Sequence, residues 1–397
     1  MNAIKEQKFE SMKQLELLRF ITTMPIEGSW SIWLLLAVQY FDAGPWSKSF
    51  IAGSIFWGLL ISPFMLTLLS RFQVRISKAI SFLYAVGAVG MLVIAFSDSL
   101  TTLVIGVGLS SILPTTTPPL IAALWEQNSP AKSRGLFFSQ MFRYGLAAKI
   151  IIGLLISYWL GTDVSHFRPV PILFAVLYIV ASYSTSKIES EKLTKTVLNP
   201  LNRLSLIWSD KMFGLILFAW MLLGISNLST FPLRTDYIAS GASFEAYEPW
   251  LVIILIDVLP TIFRFSSAVL WGKLFDKANF ILLRIGLNLI FGFSTLFFFT
   301  PLLLLQFIGA ASQGFGQGGG SVAWNLWVTK YAPPEKTADY MAVHTFLTGI
   351  RGVLCPMLAF WAVEYITFSD FAYAAASLAF ISVLILAPLV KFGNRNN

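Results

Sequence analysis

A chain of 397 residues that is 56% apolar, has a mean hydropathy of +0.72 and carries only 12% charged side chains is too greasy for a soluble globular protein of that size. Its formal charge of +8 sits in the connectors between apolar runs and forms no aromatic-interleaved basic patch, which argues against nucleic acid as a partner. Cys355 is the single cysteine and lies in an apolar run, so an intrachain disulfide is excluded and a small buried hydrophobe is the reading of that residue.

Lys5, Lys8 and Lys13 precede the first apolar run, and no small-residue cleavage site follows, so that run reads as a retained helix with Met1 as the mature start. Taking about 20 apolar residues as one crossing, hydropathy predicts spans over 17–41, 48–70, 79–97, 101–124, 137–159 and 169–186. A polar stretch from Lys187 to Asp210 follows, and then spans over 211–232, 248–271, 280–299, 301–328, 340–364 and 369–391. The expected fold is an all-α membrane protein of twelve transmembrane helices in two six-helix bundles, residues 1–186 and 211–397, joined by a linker over 187–210. Pro114, Pro118 and Pro119 around Thr115 to Thr117 predict a kink in the fourth span. Gly314, Gly316, Gly318, Gly319 and Gly320 in the tenth have no following Lys-Ser/Thr, so they read as close helix packing or a hinge and not as a phosphate loop.

Basic residues collect in the connectors that stay in the cytoplasm. One side holds Lys5, Lys8, Lys13, Arg71, Arg75, Lys78, Lys132, Arg134, the cluster from Lys187 to Lys211, Lys273, Lys277, Lys330, Lys336, Lys391 and Arg395, whereas the other holds only Lys48, Arg168 and Arg234. Both termini and the linker are therefore expected in the cytoplasm, and an even number of spans agrees, since it puts the termini on one side. The halves also repeat: Gln140 and Gly145 match His344 and Gly349, and Pro130 matches Pro334, at one common offset. A parallel repeat of this kind suits alternating access by rocking.

Between the eighth and ninth spans the chain reads Trp271-Gly272-Lys273-Leu274-Phe275-Asp276-Lys277-Ala278-Asn279-Phe280. This resembles the Gly-x-Leu-x-Asp-Arg/Lys signature of the major facilitator superfamily, and the loop from Pro130 to Gly135 with Arg134 is similar to that family's connector between spans four and five. With the span count, termini and linker, the resemblance covers essentially the whole chain. It implies a pseudo-twofold fold and a cytoplasmic gate in which Gly272 allows close helix approach and Asp276 latches onto basic groups, here Lys277, Arg71 and Arg75. The matching connector of the first half has Ser70 where the acid would stand. Span five, Phe142 to Ile150, lacks the Gly-Pro-x-x-Gly-Gly element of the family's drug/proton antiporters, which points away from multidrug export.

A charged side chain at the centre of a span costs about 2.5–3.5 kcal/mol on insertion scales and asks for a partner, a wet cavity or a function. Glu27, Arg143, Lys149, Asp257, Arg264 and Arg351 are the candidates for substrate binding or ion coupling. At ~1.5 Å of rise per residue Lys149 lies ~18 Å in from Phe137 and Asp257 ~21 Å in from Trp271. The resemblance sets spans five and eight face to face, so these two are expected to pair, unless they only brace the bundle. Glu27 and Asp257 are the expected proton site, since burial raises a carboxyl pKa. His344 reads as a residue of the helix's cytoplasmic end.

No His/Cys cluster has metal-ligand spacing and no nucleophile array can be placed, so neither cofactor nor enzyme activity is expected. The reading is a secondary active transporter in a bacterial inner membrane, moving a small organic solute by alternating access with proton coupling as the family expectation. Four of the six deep charges are basic, which favours an anionic or zwitterionic solute. A non-transporting receptor or scaffold on the same fold and a drug/proton efflux pump are the alternatives.

Overall fold

In lipid every backbone N–H and C=O must be satisfied within the protein, so long apolar runs become helices, and where a helix is interrupted something must take up the freed groups. The computed structural model describes residues 2–129, 131–193, 204–332 and 337–392. Among them there is no strand; one isolated bridge joins Arg75 to Lys192, and Leu193 N–H donates to Val74 O at 2.9 Å. Pro130, Pro334, Lys336 and Arg395, with Lys195 and Arg203 of the linker cluster, lie outside the described residues, and of Lys5, Lys8, Lys132 and Arg134 only the backbone is described.

The helices of the first half are α1 (Asn2–Thr23), α2 (Trp30–Gln39), α3 (Pro45–Arg71), α4 (Ile76–Ala95), α5 (Leu100–Val107), α6 (Pro118–Asn128), α7 (Ala131–Leu160) and α8 (Pro169–Ser186). Those of the second half are α9 (Leu206–Ser209), α10 (Lys211–Ala239), α11 (Pro249–Ile253), α12 (Leu259–Lys277), α13 (Phe280–Phe298), α14 (Leu303–Leu326), α15 (Thr337–Ala362) and α16 (Phe368–Leu386). Among the described residues ten stretches are long and apolar enough to cross a membrane; Leu100–Asn128 and Pro249–Lys277 are each assembled from two helices and an irregular joint. The chain is an integral membrane protein.

Two of the twelve expected spans fall outside those ten. The run over 17–41 is not one helix: Pro25 and Gly28, the latter at φ +89°, break it between α1 and α2. The other is α14, long enough at 24 residues, whose Gln306, Gln313, Gln317 and glycines lower its hydropathy. The prolines of the fourth span behave as expected, with a π turn over Gly108–Ile112 and a 3-10 turn over Pro114–Thr116 between α5 and α6. Tyr178 OH donates to Ser110 O at 2.8 Å and Ser62 Oγ to Thr116 O at 3.3 Å, taking up carbonyls that the irregular turns free.

The chain forms two compact units, one of Met1–Ala43 with Ser54–Leu198 and one of Gly44–Gly53 with Asn199–Asn397. In the first, α4 packs on α8 and α5, and α1 on α7 and α8. At the α4–α5 crossing a Cβ on Gly90 would stand 2.8 Å from Gly106 O, and one on Gly106 would stand 2.9 Å from Gly90 O, so neither position accepts a side chain. In the second, α14 packs on α12 and α13, and α10 on α15 and α16. The glycine run is close packing: a Cβ on Gly319 would meet Leu287 at 2.7 Å and the Trp271 ring, while Gly314 lies against the Pro260 backbone. Around this face gather Phe213, Trp220, Trp271, Phe291 and Trp327, with Phe213 and Trp220 both stacked on Trp327.

Candidate functional site

Charged and polar side chains inside each unit define its chemistry, because the surrounding lipid offers them nothing. In the first unit, Glu16 and Arg19 stand three apart on α1, a spacing that puts them on one helix face, and both are buried. Arg19 Nη2 donates to Glu16 Oε2 at 2.7 Å and its Nε to Oε1 at 3.0 Å. Trp125 Nε1 of α6 adds a third donor to Oε2 at 2.8 Å, and Arg19 Nη1 reaches the Tyr84 hydroxyl of α4 at 3.5 Å. The guanidinium also lies 4.5 Å from the Phe20 ring centroid. The cluster ties α1, α4 and α6 together around a neutralised ion pair.

The break between α1 and α2 is held by α7. Lys149 is buried, and its Nζ donates to the main-chain oxygen of Glu27 at 2.8 Å, one of the carbonyls that the interrupted helix leaves open. The Glu27 side chain is exposed, as is that of Arg143, so the burial expected of these two charges is not found. Asp257 lies in the second unit, half-buried in a π turn over Ile254–Val258 that joins α11 to α12, and its carbonyl oxygen accepts from Thr261 Oγ1 at 2.6 Å. Arg264, about two turns further along, donates from Nη2 to Ser321 Oγ at 2.9 Å.

Arg351 of α15 is buried among neutral partners. Its Nη1 donates to Trp220 O at 2.8 Å and its Nη2 to Thr348 Oγ1 at 3.1 Å, with Met221 Sδ at 3.6 Å. A Cβ at Gly224 would overlap this guanidinium, so the bare backbone of α10 is what lets it in. Arg284 of α13, buried as well, stacks 3.5 Å from the centroid of the Trp220 ring. His344, expected at a helix end, is instead fully enclosed, its ring 5.0, 5.4 and 5.5 Å from those of Trp220, Trp324 and Trp327. That cage comes from α10, α14 and the turn after it, three places that hydropathy cannot bring together.

Arg234 also departs from expectation. The helix expected to end at 232 continues through Pro232 to Ala239, which carries Arg234 inside, where Nη2 donates to Ser294 Oγ at 3.0 Å and the guanidinium lies 4.8 Å from the Phe298 ring centroid. Lys48, counted with it as an outer-loop charge, pairs with buried Asp236 at 2.8 Å. In the signature segment, Trp271 and Phe275 are buried, with Trp271 Nε1 donating to Phe315 O at 2.8 Å, while Asp276 and Lys277 are exposed at the end of α12. A Cβ on Gly272 would meet nothing within 4 Å among the described residues. Arg71 and Arg75 are exposed at the turn between α3 and α4. Among the described residues no group of His, Cys, Asp or Glu could hold a metal ion.

An all-helical bundle with charges and broken helices at membrane depth is the build of a membrane transporter. Residues 16–356 match the family model of the Major Facilitator Superfamily, and the chain belongs to that family. Its fold is similar to the crystal structure of the nucleoside transporter NupG, with a TM-score of 0.74 at 13% identity over 97% of this chain and 99% of that one. It is also similar to an auto-inhibited POT-family peptide transporter, with a TM-score of 0.70 at 13% identity over 97% of each chain. A peptide transporter POT in complex with sulfate gives 0.65 at 13% identity, over 98% of this chain and 96% of that one. At such identities the likeness is one of fold. No curated protein sequence matches the chain.

Proposed function

We propose that this chain is a secondary active transporter that moves a small organic solute, anionic or zwitterionic, by alternating access coupled to protons. It has twelve spans in two sets of six, and its termini and the 187–210 segment lie on the cytoplasmic side of a bacterial inner membrane. Membership of the family and the likeness to nucleoside and peptide transporters support transport of a polar solute. The observation that carries the charge preference is that the partners of buried Arg351 among the described residues are all neutral, with Arg284 against the same tryptophan. Guanidinium groups left so in a low-dielectric interior favour a ligand that brings the missing negative charge.

Glu27 and Asp257 are the proton carriers in this reading, each placed where a helix is irregular. Asp276, with Gly272, Lys277, Arg71 and Arg75, forms the cytoplasmic gate. The test is uptake into sealed proteoliposomes under an imposed pH gradient, with a panel of labelled organic anions, zwitterions and cations. Accumulation of an anion or zwitterion that collapses with a protonophore is expected. Glu27→Gln or Asp257→Asn should abolish gradient-driven accumulation and keep solute exchange. Uptake of cations alone, or saturable binding with no flux, rejects the reading; the latter is the behaviour of a receptor on this fold.

A further inference from the structure

The cage around Trp220 contains an imbalance that the fold does not resolve. Among the described residues Arg284 Nη2, Arg351 Nε and Trp327 Nε1 are buried N–H donors without an acceptor, and both ring nitrogens of His344 lack partners as well. A neutral imidazole supplies one more donor from one of those nitrogens. All four side chains belong to one neighbourhood: Arg284 stacks on the Trp220 ring, Arg351 binds the Trp220 carbonyl, the Trp327 ring stacks on Trp220 at 5.3 Å, and His344 lies among the three tryptophans. No ion pair joins a carboxylate to Arg284, Arg351 or His344 among the described residues. Donors in such excess, two of them cationic, are costly to bury, and the cost is relieved by one compact acceptor with several lone pairs.

We propose that Arg284, Arg351, His344 and Trp327 of the second unit form a buried site for an oxyanion of the carboxylate or phosphate type. Each guanidinium can give such an anion a directed, charge-assisted N–H bond, where a Lys would offer only a point charge. Arg351 already uses Nη1 and Nη2 on Trp220 O and Thr348 Oγ1, which leaves Nε for the anion, while Arg284 offers Nη2. Gly224 belongs to the site as well, because any side chain there would push the Arg351 guanidinium away. The oxyanion is either a free ion or the charged group of the transported solute. The site deepens the anionic-solute reading, yet it stands or falls by binding, not by flux.

The experiment is thermal unfolding of the full-length protein in lipid nanodiscs. Inorganic phosphate, phenyl phosphate and benzoate are each titrated against chloride at constant ionic strength. A saturable rise of the midpoint with at least one of the three is expected. Arg284→Met and Arg351→Met should weaken that anion's apparent affinity at least tenfold, Arg351→Lys should weaken it less, and exposed Lys78→Gln should leave it unchanged. Saturation by inorganic phosphate assigns a free-ion site, and saturation only by the organic anions assigns the charged group of a solute; both support the proposal. No saturable shift in the parent protein overturns it whether or not the variants fold. So does an affinity that survives in both Met variants. Saturable binding in nanodiscs with no flux in proteoliposomes would keep this site while rejecting transport.

Discussion

Each unit buries arginine beside tryptophan, but the two clusters balance their charge in opposite ways. In the first, Glu16 accepts from Arg19 and from Trp125, and the cluster is electrically closed. In the second, Arg284 and Arg351 share one tryptophan with no carboxylate between them. A closed pair is a brace, since nothing further gains by approaching it. An open pair of cations carries a standing cost that an anion can remove. Burial of charge is therefore no guide to function unless the partner is also read.

The largest effect expected from breaking this contrast is at Glu16. Glu16→Gln leaves the Arg19 cation buried without its acid and should destabilise the protein by about 3–5 kcal/mol. Arg19→Met should do the same by stranding Glu16, and the double variant should cost less than the sum of the singles. Arg284→Met strands no acid, so in anion-free buffer it should cost clearly less than Glu16→Gln. Unfolding of each purified variant in mild detergent measures this, and equal losses at the two sites would erase the distinction between a closed and an open cluster. Trp125→Phe tests the closure of the first cluster more finely. It keeps the aromatic bulk against Phe20 and Phe137 but removes a hydrogen bond to a charged acceptor, worth about 1.5–3 kcal/mol. If Glu16→Gln is already present, the Trp125→Phe loss should shrink below ~1 kcal/mol, as for a neutral acceptor.

Much of the fold was legible because a bilayer of fixed thickness imposes a length on every apolar run. The proline-rich joint of the fourth span and the glycine packing of the tenth were legible too, since each follows from backbone geometry close in sequence. The clusters were not. Glu16 precedes the first hydropathic run and Arg19 sits at its edge, where a charge passes for a headgroup contact; only the extension of α1 over Asn2–Thr23 and the arrival of Trp125 bury them. Arg284 is likewise near the start of α13, and Arg234 was assigned to a loop because the helix carrying it runs on past Pro232. Of the charged residues in the two clusters, hydropathy singles out Arg351, since it lies deep in its own run. Side chains contributed by separate helices meet through packing, and hydropathy holds no record of that.

A smaller effect is expected at Gly224. Gly224→Ala puts a methyl group where the Arg351 guanidinium lies and should displace it from the Trp220 carbonyl, at a cost of about 1–3 kcal/mol. Shortening the arginine removes the overlap, so adding Arg351→Ala should reverse most of that loss. Unfolding of the single and double variants decides it, and a penalty unchanged in the double variant would place the clash elsewhere. The same alanine should weaken oxyanion stabilisation, which makes Gly224 a handle on the second cluster that leaves its charges in place.

The smallest effect is expected where a short ion pair lies outside both clusters. Arg168 Nη2 and Asp98 Oδ1 are 2.6 Å apart in the first unit, closer than Glu16 and Arg19, yet their side chains are 44% and 83% exposed. Water and salt screen such a pair, and holding two side chains in one geometry costs entropy that offsets most of the attraction. Asp98→Asn keeps the shape, and Arg168 retains its bond from Nη1 to Ala95 O at 3.2 Å. The change should therefore alter stability by no more than about 1 kcal/mol, and the difference should fade as ionic strength rises. Glu16→Gln should show no such salt dependence, because ions do not reach a buried pair. If instead Asp98→Asn cost as much as Glu16→Gln, distance alone would govern these pairs, and the distinction between closed and open buried clusters would lose its physical basis.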